Sequence, residues 1–110
     1  MSFRAADHAF EAIRLMSPVL IQLKGTDSAL ADQLRRAAVS IVLNLEEGSW
    51  KTGKDRINRY RIAAGSAAEV RAALRVAAAL EWVPEEEVKR PIGELDQFLA
   101  IMWKVAGPKA

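Results

Sequence analysis

Apolar side chains recur at intervals of three and four residues through most of this chain, and this spacing limits its fold more than any other feature. The clearest run lies near the C-terminus, at Ile92, Leu95, Leu99, Met102 and Ala106. Such spacing places apolar side chains along one side of an α-helix, whereas a half-buried strand requires strict alternation. No segment shows that alternation, so the chain is predicted to be all-α.

Four segments share the helical spacing, and turn-forming residues separate them. We predict helices over residues 5–24, 28–47, 55–82 and 91–106. Asp27 or Ser28 is suited to cap the second helix. Pro84 is suited to the first position of a short helical turn, and Pro91 is predicted to break that turn from the last helix. Four amphipathic helices with short links favour a single up-down-up-down four-helix bundle over the whole chain.

The second predicted helix is apolar on two sides. Its inner side is formed by Leu30, Leu34, Ala37, Ile41 and Leu45. Val39 and Leu43 project from the opposite side, at about 180° and 220° from Leu30 if each residue turns 100°. A helix with two apolar sides needs two partners, so Val39 and Leu43 are predicted to lie in a subunit interface.

The third predicted helix is rich in alanine, with arginines on its outer side. Helical spacing predicts that its inner side is formed by Ile62, Ser66, Val70, Ala73, Val76, Ala77 and Leu80. Gly65 in the middle of this helix costs about 1 kcal/mol relative to alanine. We therefore predict that Gly65 allows a neighbouring helix to approach closely, whereas Gly48 ends the second helix and makes the turn.

The composition excludes several kinds of site. The chain has no cysteine, which rules out disulfides, thiolate zinc sites and cysteine nucleophiles. His8 is the only histidine, so a metal or triad site built on histidine is not expected. With no leader and no apolar run long enough to span a bilayer, the protein is expected to be soluble and cytoplasmic, without cofactor, metal or small-molecule substrate.

The stretch GSWKTGKD resembles a phosphate-binding loop but does not fit one. Gly48, Gly53 and Lys54 match the glycines and lysine of the pattern, but Asp55 stands where a serine or threonine would bind magnesium. The pattern also requires a preceding strand, and here a helix precedes it. We interpret the stretch as a turn between two helices.

Positive charge is concentrated in the middle of the chain. Residues 35–75 contain nine basic and four acidic residues, although the net charge of the whole chain is only +2. A basic surface suits nucleic acid or an acidic partner, and an aromatic side chain could stack on a base. The predicted nucleic-acid or partner surface consists of Trp50, Arg56, Arg59, Arg61, Arg71 and Arg75. A plain solvated surface remains the alternative.

Polar residues on the second and third helices are predicted to meet across their interface. If the two helices pack antiparallel, Asn44 and Glu47 approach the level of Ser66 and Glu69, with Ser40 on the same side. Because buried polar groups are usually hydrogen-bonded, we interpret these five residues as a structural polar network. An enzyme that uses Glu47 and Glu69 as paired carboxylates is the remote alternative, since no nucleophile accompanies them.

Two motifs carry a resemblance to a known family. The first is Ser-Ile followed by Asn and then Glu-Gly, at Ser40, Ile41, Asn44, Glu47 and Gly48. The second is Gly-Ser followed by Glu, at Gly65, Ser66 and Glu69. With these motifs the chain resembles a bacterial four-helix-bundle family first noted as proteins encoded in intervening sequences of 23S ribosomal RNA genes. The accessory variability determinants of diversity-generating retroelements resemble this family. The chain departs from the family pattern at two positions: Glu46 stands in place of a small residue, and Val42 stands in place of a proline.

The resemblance implies an assembly and a class of partner. It implies an up-down-up-down bundle and a ring of five subunits around a central channel. It also implies that the retroelement relatives use a basic surface to engage a reverse transcriptase and nucleic acid. We therefore expect a non-enzymatic homo-oligomer that binds RNA, DNA or a nucleic-acid enzyme. A purely structural or protein-binding assembly without affinity for nucleic acid is the alternative.

Overall fold

The structure, a computed structural model, describes residues 3–107 as four α-helices. The helices are α1 (Phe3–Thr26), α2 (Ser28–Ser49), α3 (Gly53–Ala79) and α4 (Glu85–Ala106). The described part of the chain contains no strand. The all-α prediction is therefore confirmed.

Each helix packs against two others. α2 contacts α1 and α3, and α4 likewise contacts α1 and α3. Side chains joined across the interface between α2 and α3, Gln33 with Glu69 and Ser40 with Ser66, show that residue numbers fall along α3 as they rise along α2. The side-chain contacts of α4 with α1 and with α3 have the same sense, so neighbouring helices run antiparallel, which confirms the four-helix bundle.

The link between α1 and α2 is a single residue, Asp27. Its backbone is extended, and its carboxylate accepts a hydrogen bond of 3.0 Å from the backbone N–H of Leu30. This bond satisfies one of the N–H groups that the first turn of a helix leaves without a partner. Of the two residues predicted to cap α2, the cap is Asp27.

The predicted break at Pro91 is wrong, because α4 runs through it from Glu85 to Ala106. A proline inside a helix removes one backbone hydrogen bond. The Pro91 side chain is fully buried in the core, and burial of its apolar ring offsets that loss. Pro84 precedes the first helical residue rather than occupying it, and Glu85, Glu86 and Glu87 form the first turn, where the positive end of the helix stabilises carboxylates.

α3 ends three residues earlier than predicted, at Ala79. Glu81 adopts a left-handed conformation with φ of 61°. The N–H of Trp82 bonds to the carbonyl of Ala77 at 2.9 Å, and that of Glu81 bonds to Ala78 at 3.0 Å. This is the Schellman pattern of helix termination. Glutamate occupies the position that glycine usually takes, so nothing in the sequence pointed to the end of the helix.

The buried side of α3 is rotated from the predicted one. Ile62, Val76 and Leu80 are exposed, whereas Tyr60 and Leu74 are buried. The buried residues of α3 are Tyr60, Ala63, Ala67, Val70, Ala73, Leu74 and Ala77. Because alanine lies on every side of α3, apolar spacing alone does not distinguish the inner side. No helix in the described range is both long and apolar enough to cross a membrane.

The role predicted for Gly48 is wrong, and no helix in the described part of this chain approaches Gly65 closely. α2 continues through Gly48 to Ser49, and the turn lies beyond it, with φ of 56° at Gly53. A Cβ on Gly48 would lie 2.7 Å from Cε1 of Tyr60, closer than carbon atoms can pack, so Gly48 is where α2 and α3 approach closely. A Cβ on Gly65 would meet no described atom within 4 Å.

Candidate interaction surfaces

Four side chains form a polar cluster between α2 and α3. The hydroxyl oxygens of Ser40 and Ser66 lie 2.8 Å apart. Nδ2 of Asn44 donates to the Ser40 carbonyl at 2.9 Å and to its hydroxyl at 3.1 Å. Nη1 of Arg59 donates to Oδ1 of Asn44 at 3.1 Å. All four side chains are partly buried, so the cluster satisfies polar groups that packing removes from water.

The two predicted carboxylates lie outside this cluster. Glu47 is exposed and forms an ion pair of 3.4 Å with Lys51, one turn further along the chain. Glu69 is also exposed and accepts a hydrogen bond of 3.1 Å from Nε2 of Gln33. The structure thus brings together three of the five predicted network residues, Ser40, Asn44 and Ser66. Arg59 completes the cluster, although its sequence context marked it only as part of a basic surface.

Four of the five predicted arginines of the basic surface contact groups of this chain. Arg56 donates to the carbonyls of Gly48 and Ser49 at the end of α2, at 3.2 and 3.4 Å. Arg61 donates to the carbonyl of Ala106 at the end of α4, at 3.2 Å. These carbonyls form the negative ends of their helices, so both guanidinium groups neutralise helix termini.

The remaining arginines divide between the two sides of α3. Arg59 faces α2 through Asn44, whereas Arg71 forms an ion pair of 2.6 Å with Asp96 of α4. Arg75 is exposed and makes no side-chain hydrogen bond or ion pair with the residues that the structure describes. The arginines are therefore spread around α3, and four of the five already hold a partner in this chain.

The outward side of α2 carries an apolar strip with carboxylates at one end. Val39 is 46% exposed, Leu43 62% and Trp50 81%. Glu46, in the last turns of α2, accepts a hydrogen bond of 3.0 Å from Nε1 of Trp50, which fixes the indole along the helix surface. Glu47 is its neighbour. We name these five residues the outer strip of α2.

An open groove of about 900 Å³ runs between α3 and α4. Its α3 side is lined by the small residues Ala64, Gly65 and Ala68, and its α4 side by larger ones, among them Leu99 and Trp103. The lining also contains Arg61, Arg71 and Asp96. We name this feature the α3/α4 groove. The sequence indicated small residues between arginines on this side of α3, but not the space beside them.

Titratable residues elsewhere also contact one another. His8 lies 2.6 Å from a carboxylate oxygen of Glu94, so α1 and α4 are joined at the only histidine. The hydrogen bond from Arg35 and the charge of Arg36 hold the pKa of the half-exposed Asp32 carboxyl below its ordinary value. Within residues 3–107, no three acidic or histidine side chains gather as a metal site would require.

Comparisons with known proteins give a family and a fold. No curated protein matches the chain significantly. Among solved structures, a protein of unknown function from the S23 ribosomal protein family of Bacteroides thetaiotaomicron VPI-5482 is similar, with a TM-score of 0.82 over 94% of this chain and 99% of that chain. The two are 19% identical, so the likeness concerns the fold. The 23S rRNA-intervening sequence protein family matches residues 5–104, and the chain therefore belongs to that family, as its motifs indicated.

Proposed function

We propose that this protein acts without catalysis, as an interaction module that assembles with copies of itself. The observation that carries the proposal is the outer strip of α2. Leu43 and Val39 lie one helical turn apart on the same side of α2 and are about half exposed. Contiguous exposed apolar side chains of this kind mark protein interaction sites.

Two other features support a module that binds rather than reacts. Glu47 and Glu69, the carboxylates that would act as an acid–base pair, contact different partners, and a pair of this kind must converge on one substrate. The ring of five subunits that the family resemblance implies gives the assembly its expected size.

The assembly has a direct test. Multi-angle light scattering at micromolar concentration is expected to give about five times the chain mass of 12.1 kDa. Leu43→Arg is expected to reduce this mass to that of a monomer, because it places a charge in the apolar strip. Ile21→Arg on α1, where the parent residue is similarly exposed, should leave the mass unchanged. A monomeric unmodified protein would contradict the proposal.

Nucleic-acid binding is the second candidate function. Lys54 and Arg75 support it, because both are exposed and neither forms a side-chain ion pair or hydrogen bond within the described range. Phosphate contacts of this kind depend on salt, because binding releases counterions.

A mobility-shift experiment tests this candidate. A single-stranded RNA is expected to shift at 50 mM salt and to be released at 200 mM. The double variant Lys54→Glu, Arg75→Glu is expected to bind at least tenfold more weakly. Lys24→Glu with Lys104→Glu changes the net charge equally and serves as the control. If the unmodified protein gives no shift at low salt, the alternative of a protein-binding assembly is preferred.

A further inference from the structure

The α3/α4 groove has the shape of a docking site for a helix. Ala64, Gly65 and Ala68 lie within little more than one turn of α3, and together they form a shallow floor. The groove extends along α3 from Asn58 to Arg71, which is about 20 Å at 1.5 Å per residue. A helix of three to four turns has this length. Apolar grooves of this kind bind amphipathic helices in many complexes.

Gly65 gives independent support for close approach from outside the chain. A glycine in the middle of a helix costs about 1 kcal/mol relative to alanine. A side chain at this position would meet no described atom within 4 Å, so packing within this chain does not require a glycine. Absence of a side chain at Gly65 leaves the backbone of α3 open to an external helix.

The same chain carries a helix surface with complementary properties. The outer strip of α2 presents Val39 and Leu43 as apolar side chains, followed by the carboxylates of Glu46 and Glu47. The groove presents an apolar floor together with the guanidinium group of Arg61, while Arg71 at its far end is paired with Asp96. Opposite charges that meet across an interface fix its register and exclude wrong partners.

The two surfaces lie at the same height along the bundle. The hydroxyls of Ser40 and Ser66 are 2.8 Å apart, which places these two residues at one level. Val39 and Gly65, their immediate neighbours in sequence, therefore lie within a few ångströms of each other in height. Leu43 lies one turn below Val39, and Arg61 lies one turn below Gly65. A second copy rotated about an axis parallel to the helices would present its strip at the height of the groove.

We propose that the α3/α4 groove of one copy receives the outer strip of α2 from the next copy. This inference rests on the proposed self-assembly and specifies which surfaces form it. The contact is heterologous, since two different surfaces meet, and rotation about one axis closes such contacts into a ring. Leu43 and Val39 of the incoming copy lie over Gly65 and beside Trp103. Glu46 and Glu47 lie near Arg61.

A mixing experiment distinguishes this head-to-tail contact from a symmetric one. Leu43→Arg disables the strip and leaves the groove intact. Gly65→Gln fills the groove and leaves the strip intact, and Ala100→Gln is a second groove variant from the α4 side, where the parent side chain is exposed. Each variant alone is expected to be monomeric by light scattering, with helix content unchanged by circular dichroism. An equimolar mixture of Leu43→Arg with either groove variant retains one working interface and is expected to form a dimer with one chain of each kind.

The outcomes separate this inference from the proposed function. If the unmodified protein is monomeric, both the proposed self-assembly and the proposed contact are contradicted. If it assembles and Leu43→Arg is monomeric, but both groove variants assemble as the unmodified protein does, the groove is not the interface and self-association stands. If both kinds of variant are monomeric and their mixtures stay monomeric, the contact is not head-to-tail. Gly65→Ala, which adds one methyl group to the floor, is expected to weaken assembly severalfold.

Discussion

Replacing Gly48 with valine is expected to lower the free energy of unfolding by about 2–3 kcal/mol. A Cβ at this position would lie 2.7 Å from Cε1 of Tyr60 and 3.1 Å from Cβ of Arg59. The Tyr60 ring is buried, so it cannot turn away without displacing its neighbours. Valine adds two methyl groups beyond the Cβ, and its better helix propensity offsets only a small part of the strain.

Gly65→Val is the matched control, because the same substitution there meets open space. It is expected to change the free energy of unfolding by no more than about 0.5 kcal/mol. Urea denaturation followed by circular dichroism measures both variants, at a protein concentration where all samples have the same association state. Equal losses at the two positions would show that close packing of α2 on α3 at Gly48 does not occur.

Replacing Phe98 with alanine is expected to cost about 3–5 kcal/mol of unfolding free energy. Phe98 is fully buried on α4 and is among the largest side chains in the core. This loss of free energy has two parts. The aromatic side chain no longer gains the free energy of transfer from water to the core, and the closely packed interior fills the cavity left behind only in part. In a domain of this size, such a loss removes a large fraction of the total stability.

Phe10→Ala provides the control for this prediction, since Phe10 is 52% exposed on α1. Its truncation is expected to cost less than about 1 kcal/mol, because half of the ring is in water before the change. Both variants are measured by urea denaturation, and the midpoint of the Phe98 variant should lie far below that of the Phe10 variant. Similar midpoints would contradict the position assigned to Phe98 in the core.

The amino-acid sequence predicts most of the fold, because helix periodicity is a strong local signal. The inner sides of α2 and α4 follow from large apolar residues such as Leu34, Ile41 and Leu95, all of which are buried. α3 is the exception. Its alanines pack as well on one side as on another, so its orientation depends on neighbouring helices rather than on its own sequence.

The two candidate interaction surfaces could be predicted from the sequence only in part. The outward position of Val39 and Leu43 follows from the geometry of α2 alone. The α3/α4 groove depends on the distance between two helices and on side chains from both, which no single segment specifies. Likewise, Arg56 and Arg61 carry no local sign that they neutralise the ends of α2 and α4, since those carbonyls belong to neighbouring elements of the fold.

The hydroxyl pair of Ser40 and Ser66 has a consequence for an alanine-rich helix. Sliding α3 by one turn against α2 would exchange many alanine methyl groups for similar ones, although Tyr60 would lose its fit against Gly48. The same slide would separate the Ser66 hydroxyl from that of Ser40 and the Arg59 guanidinium from Oδ1 of Asn44, and unpaired buried polar groups are expensive. The serine pair and the bond from Arg59 to Asn44 thus add polar specificity to an interface whose alanines distinguish sliding positions only weakly.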